Sequence, residues 1–417
     1  MMRMKVVVVT ILISGLIAGC THARLNHTPA SDTAEATLPI NNNSSLNQVD
    51  DIRDKPSANS SEPSTPLELH LEGIQGHIKN IYYADENHVL ISANKLYLYN
   101  LETGRTTAET SDEGFDQEWV QSVEDGYVVV GVAVDPGTQS SGLITTGVVI
   151  SYSAIFYDPH LVKQSEFHFD SLLQEKEQIL SLKSIAFTTD GKLVAYATTN
   201  GLYLYDFKTA QQTTITNLKS MDLEDLQARS GLVTFEQIGF TNWDKSLAFK
   251  AQSLDIPLVP DRPSFDTCGT VNIDRNNLLS NQRFENYSCK ELTAYNEHVL
   301  FAEDFTKPSR KLLVMNMTNG KTKFLSMIEE GESQFVSGSD RGSYFATTLA
   351  EHTSWKVRIY DVSTGKLEDE QQIPSDGDMR YMDQDPIVRI IDERRVYIVL
   401  VGAKNIEVKT KVVVGQF

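Results

Sequence analysis

Two stretches, "SLKSIAFTTDGKLVAYATTNGLYLYDFKTA" (Ser181–Ala210) and "SGSDRGSYFATTLAEHTSWKVRIYDVSTG" (Ser337–Gly365), share one plan of strand, Asp-bearing turn, strand, turn and strand. Turn landmarks at positions 100, 158, 206, 274, 316 and 361 continue that plan at a spacing near 45 residues. Together they predict an all-β chain: a β-propeller of about seven four-stranded blades, since one such sheet buries neither face alone and a closed ring buries both. A signal peptide (1–19) and a disordered tether (20–66) are expected before it, leaving 67–417 for the propeller.

"MMRMK" supplies two positive charges and "VVVVTILISGLI" (Val6–Ile17) an apolar run of twelve, a length that suits a signal-peptide core and is short for a membrane span. "LIAGC" follows, with small Ala18 and Gly19 directly before Cys20. Ile17-Ala18-Gly19-Cys20 resembles a bacterial lipobox. The resemblance implies cleavage before Cys20, a diacylglyceryl group on its thiol and a further acyl chain such as palmitate. Two or three chains anchor stably where one is marginal. By the sorting pattern of Gram-negative lipoproteins, Thr21 in place of Asp implies the outer membrane; a single-membrane host would carry the protein on the outer leaflet.

Thr21 to Pro66 contains no Phe, Tyr or Trp and is rich in Asn, Ser, Asp and Pro. Such a segment buries too little apolar surface to offset ordering and is expected to be a flexible tether. Its end-to-end distance would be roughly 35–40 Å.

Beyond it, "KLYLYNL", "GLYLYDF", "KLLVMNM" and "KVRIYDV" read as strands. Each ends at an Asn or Asp with Gly or Ala four residues on: Asn100/Gly104, Asp206/Ala210, Asn316/Gly320 and Asp361/Gly365. The acid or amide caps its own turn and glycine relieves a left-handed position. Ala210 breaks the glycine pattern, which predicts a different shape for that turn. Weaker copies end at Asp158 and Asp274, and "VRIIDERRVYIVLVGAKNIEVKTKVVV" makes a seventh unit. "LELHLEG" (Leu67–Gly73) can supply that unit's outer strand and close the ring. "TTDGKLVAY" (Thr188–Tyr196) and "RIYDVSTGK" (Arg358–Lys366) resemble blade strings of TolB-type and WD40-type propellers, with Tyr205 and Tyr360 where WD repeats carry tryptophan. The resemblance implies architecture and leaves the partner open.

Landmark intervals of 58 and 68 residues exceed the period, so two blades should carry insertions, the longer within Leu254–Cys289. Cys268 and Cys289 flank much of it. Once Cys20 is acylated they remain as an even pair in an exported protein, which suggests a disulfide stiffening a binding loop; two free thiols are the alternative. "DSLLQEKEQIL" (Asp170–Leu180) and "MDLEDLQAR" (Met221–Arg229) read as short connecting helices, the first capped by Asp170 or Ser171.

The formal net charge of −19, from 37 basic and 56 acidic residues, argues against nucleic acid as a partner. Asp376, Asp378, Asp383 and Asp385 lie within ten residues but off the spacing of an EF-hand, and read as a solvated acidic turn rather than a Ca²⁺ site. No HExxH, P-loop, dinucleotide or GxSxG pattern appears, so no catalytic residue, metal or cofactor is assigned. The expected function is that of a membrane-anchored, monomeric, non-catalytic module binding an envelope protein, peptide or glycan. The alternative is an exported propeller enzyme (hydrolase, lyase or lactonase) whose residues converge on the channel from several blades.

Overall fold

A computed structural model of the chain separates into two units, Met1–Ser64 and Thr65–Phe417. It describes residues 66–417 except 116, 136–147, 176, 180, 218–232, 254–265, 274–281, 284–288, 304–310, 327–336, 352, 375–385 and 403–410. The Cys20 lipobox, the tether, the segment Met221–Arg229 and the acidic run Asp376–Asp385 all lie outside the described residues.

The described chain is all-β and forms seven four-stranded antiparallel sheets. A first short strand, β1 (Leu67–Glu68), is set aside by the topology for the last sheet. Blade 1 is β2 (Asn80–Tyr83), β3 (His88–Ser92), β4 (Leu96–Asn100) and β5 (Arg105–Glu109). Blade 2 is β6 (Glu118–Val123), β7 (Gly126–Asp135), β8 (Val148–Tyr157) and β9 (Lys163–His168). Blade 3 is β10 (Ile185–Phe187), β11 (Leu193–Ala197), β12 (Gly201–Asp206) and β13 (Gln211–Asn217). Blade 4 is β14 (Val233–Thr241), β15 (Ser246–Ser253), β16 (Asp266–Asn272) and β17 (Gln282–Arg283). Blade 5 is β18 (Cys289–Ala294), β19 (His298–Glu303), β20 (Lys311–Asn316) and β21 (Thr322–Ser326). Blade 6 is β22 (Ser337–Gly338), β23 (Tyr344–Ala350), β24 (Ser354–Asp361) and β25 (Leu367–Pro374). Blade 7 is β26 (Ile387–Ile391), β27 (Val396–Val401) and β28 (Lys411–Gln416), and β1 pairs with β28 to complete it. The protein is a seven-bladed β-propeller, closed as the sequence predicts by a strand from the start of the domain.

The alternation along each third strand explains how the blades stack. The residue just before the turn landmark faces the preceding blade: Tyr99 packs against blade 7, Tyr205 against blade 2, Met315 against blade 4 and Tyr360 against blade 5. The residue before that faces the following blade, as Leu98, Leu204, Val314 and Ile359 do. Period-two patterning thus gives each sheet two apolar faces, one for each neighbour. The result is seven buried clusters, one between each pair of adjacent blades, including the pair of blades 7 and 1.

The landmark turns behave as their chemistry requires. Asn100 Oδ1 accepts from the amides of Glu102 and Thr103 at 3.0 and 2.7 Å, and Asp206 Oδ1 from those of Lys208 and Thr209 at 2.8 and 3.1 Å. Ala210 does not alter the turn. Its φ of 53° falls beside the 65°, 66° and 72° of Gly104, Gly320 and Gly365. The expected change of shape is replaced by local strain of about 1–2 kcal/mol, because Cβ crowds the carbonyl in that conformation.

Two further expectations are corrected. Asp170–Leu180 forms no described α-helix; a 3-10 turn spans Phe169–Leu172, its N-cap is His168, and no side chain caps it. Phe169 is fully buried between blades 2 and 3, so packing of one ring decides the local path. The stretch Leu254–Cys289 is not one loop either: Asp266–Asn272 and Gln282–Arg283 are the third and outer strands of blade 4.

Candidate functional site

With strands of a blade called A to D from the axis outward, antiparallel pairing puts all A–B and C–D turns on one face and all B–C and D–A connections on the other. The axial side of the molecule is made by the seven A strands, each the edge strand of its sheet; among the described residues one parallel bridge, Ser339 to Ile390, joins blades 6 and 7 there. Such an edge exposes backbone donors and acceptors, and the chain answers with side chains from neighbouring blades.

Gln121 in blade 2 donates to Phe187 O at 2.6 Å and accepts from Phe187 N at 3.0 Å in blade 3. Gln237 in blade 4 does the same to Leu292 in blade 5, at 2.6 and 3.3 Å. Ser122 Oγ donates to Tyr83 O at 2.7 Å, Tyr82 Oη to Glu118 O at 3.0 Å, and Ser184 Oγ to Phe235 O at 2.8 Å. Thr241 Oγ1 donates to Tyr295 O. Between blades 3 and 5, Lys183 Nζ lies 3.3 Å from both carboxylate oxygens of Glu291, reaching past blade 4.

Where blade 7 meets blade 1, Arg389 is the central group. Its guanidinium donates to Val388 O at 2.9 Å and Asn80 Oδ1 at 3.1 Å, and lies 5.9 Å from the centre of the Tyr82 ring. Burial pushes the Arg389 pKa down and those of Tyr82 and Tyr295 up. Glu118 lies close by, its carboxyl pushed up by burial against the opposing hydrogen bond from Ser92.

The A–B turns of blades 6 and 7 bring acids together. Asp340 Oδ1 accepts from Asp392 N at 2.8 Å, Asp392 Oδ2 accepts from Ser343 N at 3.1 Å, and Glu393 pairs with Arg341. Asp340 Oδ2 and Asp392 Oδ1 are buried without a hydrogen-bond partner. Burial, then the charges of Asp392 and Glu393, push the Asp340 pKa up to about 7 against the hydrogen bond from the Asp392 amide. Between pH ~4 and 7 the folded protein therefore holds a proton that the unfolded chain has released, and stability falls as pH rises through that window. Asp340→Asn keeps the Oδ1 acceptor and removes the charge. At pH 8 it is expected to raise stability by roughly 1–2 kcal/mol, after discounting the shift for partial exposure, and to leave little difference at pH 4. Melting temperatures of both proteins at the two pH values check this.

Of the residues singled out in the sequence, Cys268 and Cys289 meet: a disulfide joins them with Cα atoms 6.0 Å apart. Its place differs from the expected one. Cys268 lies on the third strand of blade 4 and Cys289 on the inner strand of blade 5, both buried within the cluster between those blades. The bridge staples one blade to the next. Among the described residues no group of three or more His, Cys, Asp or Glu is placed to hold a metal ion. Sequence reasoning missed Arg389, Tyr82 and Asp340, which carry no linear signal, and passed over "TNWDK" (Thr241–Lys245), where a tryptophan stands at the position that Asp190 holds in "TTDGK".

The chain matches no protein-family model, and no curated protein matches it. Among solved structures it is similar to the β-propeller domain of Cps50 (Swd1) from Myceliophteria thermophila, at 9% identity and a TM-score of 0.54, over 84% of this chain and 100% of that one. At that identity the likeness carries the fold alone, that of a β-propeller.

Proposed function

We propose that this protein is a bacterial lipoprotein held outside the cytoplasm, in a cell membrane or outer membrane, through acylated Cys20. Its TolB/WD40-like propeller then acts as a non-catalytic binding or scaffold module for an envelope protein, peptide or glycan. The observation that carries the binding reading is the use made of polar groups at the axis. Gln121, Ser122, Ser184, Gln237 and Thr241 are committed to the backbone of neighbouring blades, so the rigid ring presents its two faces of turns and connections as contact surface. The anchor reading is supported by the basic start, the twelve-residue apolar run and Ile17-Ala18-Gly19-Cys20 in that order.

Metabolic labelling with palmitate, followed by membrane flotation of the full chain, tests the anchor. The wild-type chain should take up label and float, and Cys20→Ser should do neither. An unlabelled, soluble wild-type protein overturns it. Cross-linking in intact envelope with the full chain tests the module: a discrete partner that is lost when the propeller is unfolded is the expected result.

One observation favours the enzyme alternative, the Asp340 carboxyl near neutrality beside Asp392 and Glu393 at the axial end of blade 6. Hydrolysis by the purified chain that Asp340→Asn abolishes would establish it.

A further inference from the structure

Trp243 stands at a position for which the fold itself has no use for an indole. It belongs to the A–B turn of blade 4, and the matching positions of the turns "TTDGK", "SDRGS" and "IDERR" are Asp190, Arg341 and Glu393. Those sister residues are charged and suited to water. Trp243 is 51% exposed, whereas the other two tryptophans are covered: Trp119 is partly buried between blades and Trp355 is 5% exposed.

The turn that presents it is held in a costly shape. Asn242, Trp243 and Asp244 take φ of 55°, 51° and 62°, three successive left-handed residues with no glycine among them. Neighbouring blades clamp both sides. Asn296 of blade 5 accepts from Asn242 N at 3.0 Å through its carbonyl and from Trp243 N at 3.2 Å through Oδ1. Thr189 of blade 3 donates to the Asp244 carboxylate from its amide at 2.9 Å and from its hydroxyl at 3.3 Å. An indole fixed in this way loses little backbone freedom when a partner covers it.

The surroundings choose the partner. Asp125, Asp190 and Glu297 occupy the A–B turns of blades 2, 3 and 5, around Asp244 in the turn of blade 4. Two cations share these four turns, Lys192, tied to Asp190 at 3.1 Å, and exposed Lys245 beside Asp244, against the carboxylates of Glu124, Asp125, Asp190, Asp244 and Glu297, so the balance stays negative. The geometry points to a docking surface on the A–B turns of blades 2 to 5 for a basic segment of a partner protein, with an arginine or lysine side chain lying over the Trp243 ring and the flanking carboxylates meeting its neighbours' charges. This rests on the binding-module reading and narrows its partner to a basic polypeptide. A sugar ring would stack on the indole without need of the acids, and an acidic peptide would be repelled.

Trp243 is the tryptophan most open to acrylamide, so its emission reports on its own coverage. The full chain is titrated with an octa-arginine peptide, with octa-glutamate and a chito-oligosaccharide in parallel. Octa-arginine is expected to protect the emission from acrylamide and to bind several-fold more weakly at 300 mM than at 50 mM salt. In a label-free assay Trp243→Ala should weaken binding about tenfold, Trp243→Phe should retain part of it, and Phe324→Ala, on the outer strand of blade 5, should leave it unchanged. Circular dichroism shows whether the variants keep the fold; if Trp243→Ala does not, Trp243→Phe and Trp243→Asp, the latter carrying the residue of the blade 3 turn, decide. Equal binding by the wild-type chain and every Trp243 variant, or protection by the sugar in place of octa-arginine, overturns the proposal. Absence of binding by all three probes overturns it too, and leaves the module reading to stand or fall on its envelope cross-linking.

Discussion

Phe249→Ala is expected to lower the stability of the propeller by about 3–5 kcal/mol. The ring is fully buried between blades 3 and 4, where it meets Phe235 edge-on with centroids 5.7 Å apart. Leu202, Leu204, Leu247 and Val271 belong to the same cluster, on strands that each hold two ladders, so the backbone is poorly placed to collapse into the space left behind. The cost therefore includes the cavity as well as the lost transfer energy. In a closed ring each blade has two neighbours, and no interface is an end that can fray by itself. Urea unfolding should show a lower midpoint with an unchanged slope, the mark of one cooperative unit. Two separated transitions would instead mean that blades 3 and 4 had come apart from the rest.

Replacing Cys268 and Cys289 together by alanine should cost roughly 3 kcal/mol, from the loop entropy returned to the unfolded chain. The bridge closes a loop with a sequence separation of 21. Both sulfurs lie inside an apolar cluster with Ala248, Leu292 and Phe301, so the double replacement also loses packing between blades 4 and 5. Burial makes a second prediction of the same experiment: dithiothreitol should lower the midpoint of the wild-type protein only when present through the unfolding transition. Native protein incubated with it under folding conditions should keep its bridge, as mass spectrometry after alkylation would show. Rapid reduction of the native protein would contradict the buried placement.

Much of the architecture was legible because a blade is a local object. Four strands joined by short turns write their period straight into the chain, and the Asn or Asp at 100, 206, 316 and 361 marks the end of each third strand because that side chain folds the next turn. The disulfide was legible as a pair of cysteines and illegible as a staple, because whether residue 268 lies in a loop or in a strand is decided by pairing with β15. The axial latches were out of reach for a similar reason. Arg389 and Asn80 are 309 residues apart, and only closure brings the last blade to the first. Ala210 shows local propensity overruled: the ladders on both sides of the turn hold it in a shape its own side chain disfavours. Trp243 was visible as a misfit once the turns are aligned, but its exposure depends on clamps from two other blades.

Closure by β1 also determines how the ring would answer a mechanical load. All tension arriving through residue 66 passes into a two-residue strand paired at Leu67–Val414 and Glu68–Val413, backed by the Leu69 amide on Val412 and the Glu68–Lys411 ion pair. A pull in line with that strand is shared by these bonds at once, whereas a sideways pull takes them singly, like a zip. With two residue pairs against the six between β27 and β28, this seam is expected to be the first to part under force, the molecule's built-in fuse.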